Sequence, residues 1–203
     1  MAAWWQAGRW MRWLNRVYAR RSHALFVAHC AHVPSVTWPA GEQAVQFSKT
    51  QPLSSADHQE LLALWPDAGP YLKAVACGEA MGLLVRADGR IVHSAYVLIG
   101  NKTLRILGCD RSSGLLANAS TVPDYRGRGC QTRSVATRLA MSAQAGFREV
   151  VAETALDNQH SQRALLRAGL RSMGVVRLVL LLSVLVIRTE HPEGAAKRWD
   201  LCL

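Results

Sequence analysis

Apolar and polar positions change their spacing several times along the chain, and each change predicts an element. In MAAWWQAGRWMRWLNRVYARRS, residues 1–22, Trp4, Ala7, Trp10, Met11, Trp13, Leu14, Val17 and Tyr18 share one arc at about 100° per residue. Arg9, Arg12, Arg16 and Arg20 fill the opposite side, and Trp5 and Arg21 break the pattern. This predicts an amphipathic helix with an indole face and a guanidinium face. A short apolar run over residues 24–28 and then VPSVTWPAG follow, and the two prolines and the glycine mark a boundary. The expected division is an extension over residues 1–39, a main domain over 40–190 and a tail over 191–203.

Within the main domain, residues 44–49 read as a short strand. Ser54 or Ser55 caps a helix, SSADHQELLALW, with Asp57 in its first turn and Pro66 at its end. Residues 71–77 form a second short helix closed by Gly78. MGLLVRADGRIVHSAYVLI is a hairpin with Asp88-Gly89 as its two-residue turn. Asn101-Lys102 turns again into TLRILG, the next stretch of the meander, and residues 114–122 form another strand ending at Pro123. Residues 132–145 are helical, with Val135, Leu139 and Ala143 on one face and Gly146 as the stop. Residues 149–155 are a strand, 158–168 a helix stopped by Gly169, and 173–187 one long strand or two. A meander followed by β-α-β-α-β predicts a mixed α/β (α+β) domain with a mostly antiparallel sheet and helices on both faces.

Composition narrows the partners. Of 203 residues, 50% are hydrophobic, enough for a substantial core, and the formal charge of +10 calls for an anionic partner. The Trp/Arg pattern of residues 1–22 suits an anionic membrane surface or a protein partner. The alternative is a helix packed on its own domain or a second subunit. No apolar run reaches the ~20 residues of a spanning helix. The five cysteines show no paired metal-ligand spacing, so reduced thiols, a cytoplasmic protein and no metal are expected. The apolar stretch at 178–187 makes a second copy of the chain a further candidate partner.

The densest chemistry lies in VPDYRGRGCQTRSV, residues 122–135. Gly127 and Gly129 permit turns that other residues resist, a helix start follows, and Arg126, Arg128 and Arg133 add positive charge. Together they describe a phosphate or pyrophosphate cradle. A GxGxxG dinucleotide fingerprint requires glycine where Thr132 stands, and there is no Gly-Lys-Ser/Thr for a Walker loop. RGRG occurs once and is not a repeated RNA-binding tract, so nucleic acid is disfavoured.

This stretch resembles the GNAT acetyltransferase superfamily. Its glycine-loop signature, Arg/Gln-x-x-Gly-x-Gly/Ala, is matched by Arg126-Gly127-Arg128-Gly129-Cys130-Gln131 with Gln131 as a departure. Val122-Pro-Asp-Tyr resembles the family's strand exit, AGFREVVAET its next strand, and DNQHSQRALLRAGL its second helix, with Asn158, Ser161 and Gly169 matching. The resemblance covers about 60 residues and implies acetyl-CoA or another acyl-CoA as donor. It places the pyrophosphate on backbone N–H groups of Arg126, Gly127, Arg128, Gly129, Cys130 and Gln131 and on Thr132. It sets the thioester carbonyl against an amide near Thr121 or Val122, and the pantetheine arm against Asn158 and Ser161 between two splayed strands. Leu165 stands where many members carry a proton-donating tyrosine.

Catalytic candidates are Glu153 as general base, against a surface or salt-bridged carboxylate, and Ser120 as a lining residue of the acceptor site. Asp110 reads as a turn cap, His160 as exposed, His93 as a sheet-face residue and Cys130 as packed. The expected function is acyl transfer from acyl-CoA to an amine or hydroxyl of a small or membrane-linked acceptor, at the inner face of a membrane. The rival is a non-catalytic module of the same fold that binds through its N-terminal helix.

Overall fold

The computed structural model describes residues 18–31, 33, 35–181, 185–190 and 198–201. Among them the strands are β1 (Tyr18–His29), β2 (Glu42–Phe47), β3 (Ala80–Ala87), β4 (Arg90–Leu98), β5 (Gly114–Thr121), β6 (Glu149–Ala155), β7 (Arg171–Leu181), β8 (Leu185–Glu190) and β9 (Arg198–Leu201). The helices are α1 (Ser55–Leu64), α2 (Gly69–Cys77), α3 (Lys102–Leu107), α4 (Cys130–Gln144) and α5 (Gln159–Arg167). The nine strands form one sheet in the order β2-β3-β4-β5-β6-β1-β7-β8-β9. All neighbours are antiparallel except β5 and β6. The mixed fold expected from the sequence is therefore present.

Four expectations are corrected. Residues 18–22, read as the end of an amphipathic helix, run as strand; residues 1–17 lie outside the described residues. The boundary near residue 40 also cuts through the sheet, because β1 lies inside it. Its Ala24, Phe26 and Ala28 bury on one side and Leu25 and Val27 on the other. Apolar side chains on both faces are what an interior strand requires, and pairing with β6 and β7 satisfies both of its edges. Residues 198–201, assigned to a tail, pair with β8. Finally, TLRILG is helical: the Asn101 side chain caps the Thr103 amide at 2.7 Å, Leu104 and Leu107 bury one turn apart, and Gly108 closes the end with φ 79°.

Elsewhere local signals are obeyed. Ser54 caps α1 through the Asp57 amide, and Asp88 and Gly89 take φ 51° and 77°, as a two-residue hairpin turn requires. Helices α4, through Val135 and Leu139, and α5, through Leu165, pack on one face of the sheet over Phe26, Leu116 and Val150. On the other face, α1 and α2 cover Phe47, Leu84, Ile91 and Tyr96, and α3 covers Leu25, Leu115 and Val151. These buried apolar layers supply the main driving force for the fold.

Two packing points carry measurable consequences. Gly82 lies under Phe47: a Cβ added there would stand 2.0 Å from the Phe47 ring, which itself meets Tyr96 edge-on at 6.0 Å. His93 is fully buried between β5 and α4. Its Nδ1 is 2.8 Å from Thr121 Oγ1 and its Nε2 2.8 Å from Ser134 Oγ. Burial, with the charges of Arg138 and Arg133 behind it, lowers its pKa to about 3.

Gly82→Ala is expected to cost about 1–3 kcal/mol by overpacking, and Phe47→Leu to recover part of the loss in the double variant. Chemical denaturation checks this, and an unchanged midpoint for Gly82→Ala refutes it. His93 gives a second expectation. The unfolded chain protonates this ring near pH 6.5, while the folded chain keeps it neutral to about pH 3. Its stabilising contribution is thus fully present above about pH 6.5 and declines as pH falls, by about 1.4 kcal/mol per unit. His93→Gln should flatten the slope of stability against pH between about 6 and 4 by one proton; an unchanged slope would contradict the assignment.

Candidate active site

The site begins with a break in the sheet. Parallel pairing of β5 with β6 is confined to Gly114↔Val150, Leu115↔Val151 and Leu116↔Ala152. Beyond it, β5 stays with β4 as far as Thr121↔His93, and β6 stays with β1 as far as Ala155↔His23. Each strand remains satisfied on its outer side while their inner edges part. The divergence starts where β5 bulges: two residues, Asn118 and Ala119, face one, Ala95, and Asn118 takes φ 35°. The gap opens at the carboxyl ends of two parallel strands, the usual place for a ligand crevice in such sheets.

The loop over that end begins with a turn at Pro123–Tyr125. Gly127 and Gly129 take φ 78° and 75°, the left-handed region that glycine adopts without strain. A Cβ on Gly127 would meet nothing within 4 Å, so its surroundings are open. Gly129 is the N-cap of α4 and offers no side chain to its first turn. Amides of residues 127–132 donate to no backbone carbonyl among the described residues, whereas Arg133 N donates to Gly129 O at 3.2 Å. A row of unpaired N–H groups at a helix start, beside a glycine with free space, is what a diphosphate needs.

The loop's charges divide into used and free. Arg133, counted in the sequence with the cradle, is committed elsewhere. Its Nη2 donates to both Glu42 oxygens at 3.0 and 2.8 Å, its Nη1 to Arg128 O at 2.9 Å, and its guanidinium lies 5.1 Å from the Trp38 ring centre. Tyr125 donates its hydroxyl to Glu42 at 2.7 Å, and burial together with that carboxylate raises its pKa to about 12. Glu42 thus ties β2 to both ends of the loop. Arg90 pairs with Asp124 at 2.6 Å and holds that carboxyl below its usual range. Arg126 and Arg128 are exposed and pair with no carboxylate among the described residues; Arg126 donates to Thr121 O, and Arg128 donates to Asp124 O and lies over the Tyr125 ring.

Other predicted residues separate by face. Cys130 is buried against Val85, Val92 and Tyr125, and burial raises its thiol pKa to about 12, so only its amide is open to a ligand. The Val122 amide is occupied, donating to Val92 O at 3.0 Å, which removes it as a partner for a thioester carbonyl. Thr121 turns its hydroxyl to His93, on the α4 face. Gln131 and Thr132 are half-buried in the first turn of α4. Asn158 caps α5 by accepting the Ser161 amide at 3.1 Å, which fixes both residues at the mouth of β6. Leu165 is buried in the core with Phe26 and Val135, so that position faces packing and not the gap. Asp110 accepts from the Ser112 amide and hydroxyl, a turn cap as read.

On the opposite face of the sheet, the register sets another group together. Ser120 stands opposite Ser94, and Ala117 opposite Tyr96. Ala117 and Glu153 are the next residues on β5 and β6 after pairing ends, and Glu153 follows the buried Val151 by two, so it shares this face. Tyr96 and Glu153 therefore flank the gap on one face, with the small Ala117 on the strand between them. Tyr71 from α2 stacks on Tyr96 at 5.0 Å. Its pKa is raised by burial and then by Asp67 and Glu153, which places negative charge around its hydroxyl. No hydrogen bond joins Ser120 to Glu153 among the described residues. Tyr71, Tyr96 and Glu42 escape sequence reading because only tertiary register brings them to the site.

No family model and no curated protein matches this chain. Solved structures do. A protein from Novosphingobium aromaticivorans assigned to the GNAT acetyltransferases aligns at TM-score 0.57 and 20% identity, over 79% of this chain and 63% of its own. A GCN5-related N-acetyltransferase from Kribbella flavida aligns at TM-score 0.54 and 17% identity, over 86% and 63%. A protein from Drosophila aligns at TM-score 0.57 and 17% identity, over 89% and 58%. This chain thus spans about three fifths of the length of these structures. At these identities the likeness is one of architecture: the chain has the fold of the GCN5-related N-acetyltransferases.

Proposed function

We propose that the protein is an acyltransferase that moves an acetyl or related acyl group from acyl-CoA to an amine. The observation that carries this is the set of unpaired amides at residues 127–132, ahead of α4 and beside a parted strand pair. The diphosphate lies on those amides, with Arg126 and Arg128 contributing charge. The arm enters between β5 and β6, past Asn158 and Ser161. The acceptor sits on the opposite face, between the Tyr71–Tyr96 stack and Glu153. Carboxylates at Asp67 and Glu153 with an aromatic wall favour a protonated amine as the incoming species.

In the reaction, the bound ammonium first gives one proton to solvent, and Glu153 then takes the next proton from the neutral amine as the N–C bond forms. The oxyanion collapses, the C–S bond breaks, and the thiolate leaves with the electron pair. Orientation and proton transfer are the two contributions this chain makes. Buried Leu165 supplies no proton to the thiolate, and this favours a second reading in which the fold binds CoA without turnover.

Residues 1–17 add a proposal of their own. The Trp/Arg pattern suits peripheral attachment to an anionic bilayer.

Gly127 allows a clean test of the cradle, because asparagine and aspartate both tolerate a left-handed backbone and differ here by one charge. Gly127→Asn should bind acetyl-CoA nearly as the parent does, and Gly127→Asp at least about tenfold more weakly by calorimetry. Equal affinity of the two variants would reject the cradle. CoA release from acetyl-CoA across a panel of amines separates turnover from binding alone. Deletion of residues 1–17, which spares β1, should abolish flotation with vesicles containing anionic lipid; flotation retained by the truncated protein refutes the membrane proposal.

A further inference from the structure

Glu153 has a partner that the rest of the site does not use. His23 Nδ1 pairs with Glu153 Oε2, and the two side chains are 21% and 33% exposed. The histidine comes from β1, the strand between β6 and β7. There it stands opposite Ala155 on one side and Val176 on the other, beyond the buried Leu25, which faces Glu153 and Gly174. It therefore lies at the open end of the sheet, on the strand that keeps β6 paired after β5 has parted. His23 is the one ion-pair partner found for the carboxylate among the described residues, and it engages Oε2 and not Oε1.

We propose that His23 is a positioning residue for Glu153. This rests on the reading of Glu153 as the base. The Nδ1···Oε2 contact, a close pairing and not an aligned hydrogen bond in the structure, restrains the carboxylate rotamer beside the gap and leaves Oε1 to accept the proton of the attacking amine. During transfer the amine N–H bond breaks and the proton moves to Oε1. The new N–C bond forms, the C–S bond breaks, and thiolate departs; His23 keeps its own proton throughout. A carboxylate on the last turn of a parted strand otherwise rotates freely, and a base displaced by about 1 Å loses much of its effect. Residue 23 lies outside the stretch of about 60 residues that resembles the superfamily, so the pairing is a property of this chain's N-terminal strand.

The experiment compares His23→Ala, His23→Asn, Glu153→Gln and the Ala/Gln double variant in the full chain. Asparagine keeps an N–H donor near the place of Nδ1. Acetyl-CoA affinity and melting temperature are expected to stay at parent values for all four. His23→Ala should lower kcat by about 10- to 100-fold with little change in acceptor KM, and His23→Asn should restore part of it. Because His23 acts through Glu153, the double variant should be no slower than Glu153→Gln alone. Long-range ¹⁵N–¹H correlation of the histidine rings supplies a readout that needs no acceptor: Glu153→Gln should shift the His23 Nδ1 signal. Unchanged kcat in His23→Ala, multiplicative losses in the double variant, or an unmoved Nδ1 signal would each overturn the proposal while leaving acyl transfer intact. Full kcat in Glu153→Gln would overturn the base assignment and this role with it. Acetyl-CoA binding without turnover of any amine would overturn acyl transfer itself, and with it any part for His23.

Discussion

Everything at the site depends on two parallel strands that stop pairing after three residues. Leu116 and Ala152 are the last partners of β5 and β6, and both strands continue. An unpaired inner edge is costly when buried, since each free N–H or C=O forfeits a hydrogen bond. The cost is contained here because each strand keeps its other neighbour: β4 holds β5 and β1 holds β6 through to their ends. The sheet is in effect two ribbons joined by a short parallel seam. The open edges are left for a ligand that can hydrogen-bond to backbone, and a pantetheine arm with its two amides meets that description.

The loop that would grip the other end of such a ligand is held from behind. Glu42 accepts from Tyr125 and from Arg133, with its side chain only 7% exposed, so the two ends of the glycine loop share one buried acceptor on β2. A buried carboxylate is tolerable only with such partners. Arg138, also buried, donates to the Tyr96 and Ser134 carbonyls, and burial lowers its pKa to about 9. These contacts brace α4 against β2 and β4 while its first-turn amides stay free. Fixing donors before the anion arrives avoids an ordering cost at binding.

Legibility in the sequence followed the range of the determining forces. Strand β6 and helices α1, α2 and α4 were readable because period, cap and stop residues lie within a few positions of one another. The glycine loop was readable for the same reason. TLRILG misled, since Leu104 and Ile106 alternate as in a strand while Leu104 and Leu107 are spaced as in a helix, and Asn101 with Gly108 decides between them. The role of Arg133 was hidden because its partner is Glu42, 91 residues earlier. The Tyr71–Tyr96 stack and the facing of Glu153 require knowing where β5 bulges, and no local pattern announces that.

The N-terminal strand is the least local element, and its position constrains how the molecule assembles. Helix α5 carries the chain from β6 to β7, but these strands are not neighbours; β1 fills the space between them and is antiparallel to both. Until residues 18–29 arrive, β6 and β7 each face an empty lane lined with unpaired backbone, and the buried ring of Phe26 is missing from the layer beneath α4 and α5. Contacts between residues 23–29 and 149–155 span 120 to 132 positions, from His29↔Glu149 to His23↔Ala155, so closing this lane is entropically late. The pairing of Glu153 on β6 with His23 on β1 therefore forms only when this lane of the sheet has closed, which ties the geometry beside the gap to completion of the fold.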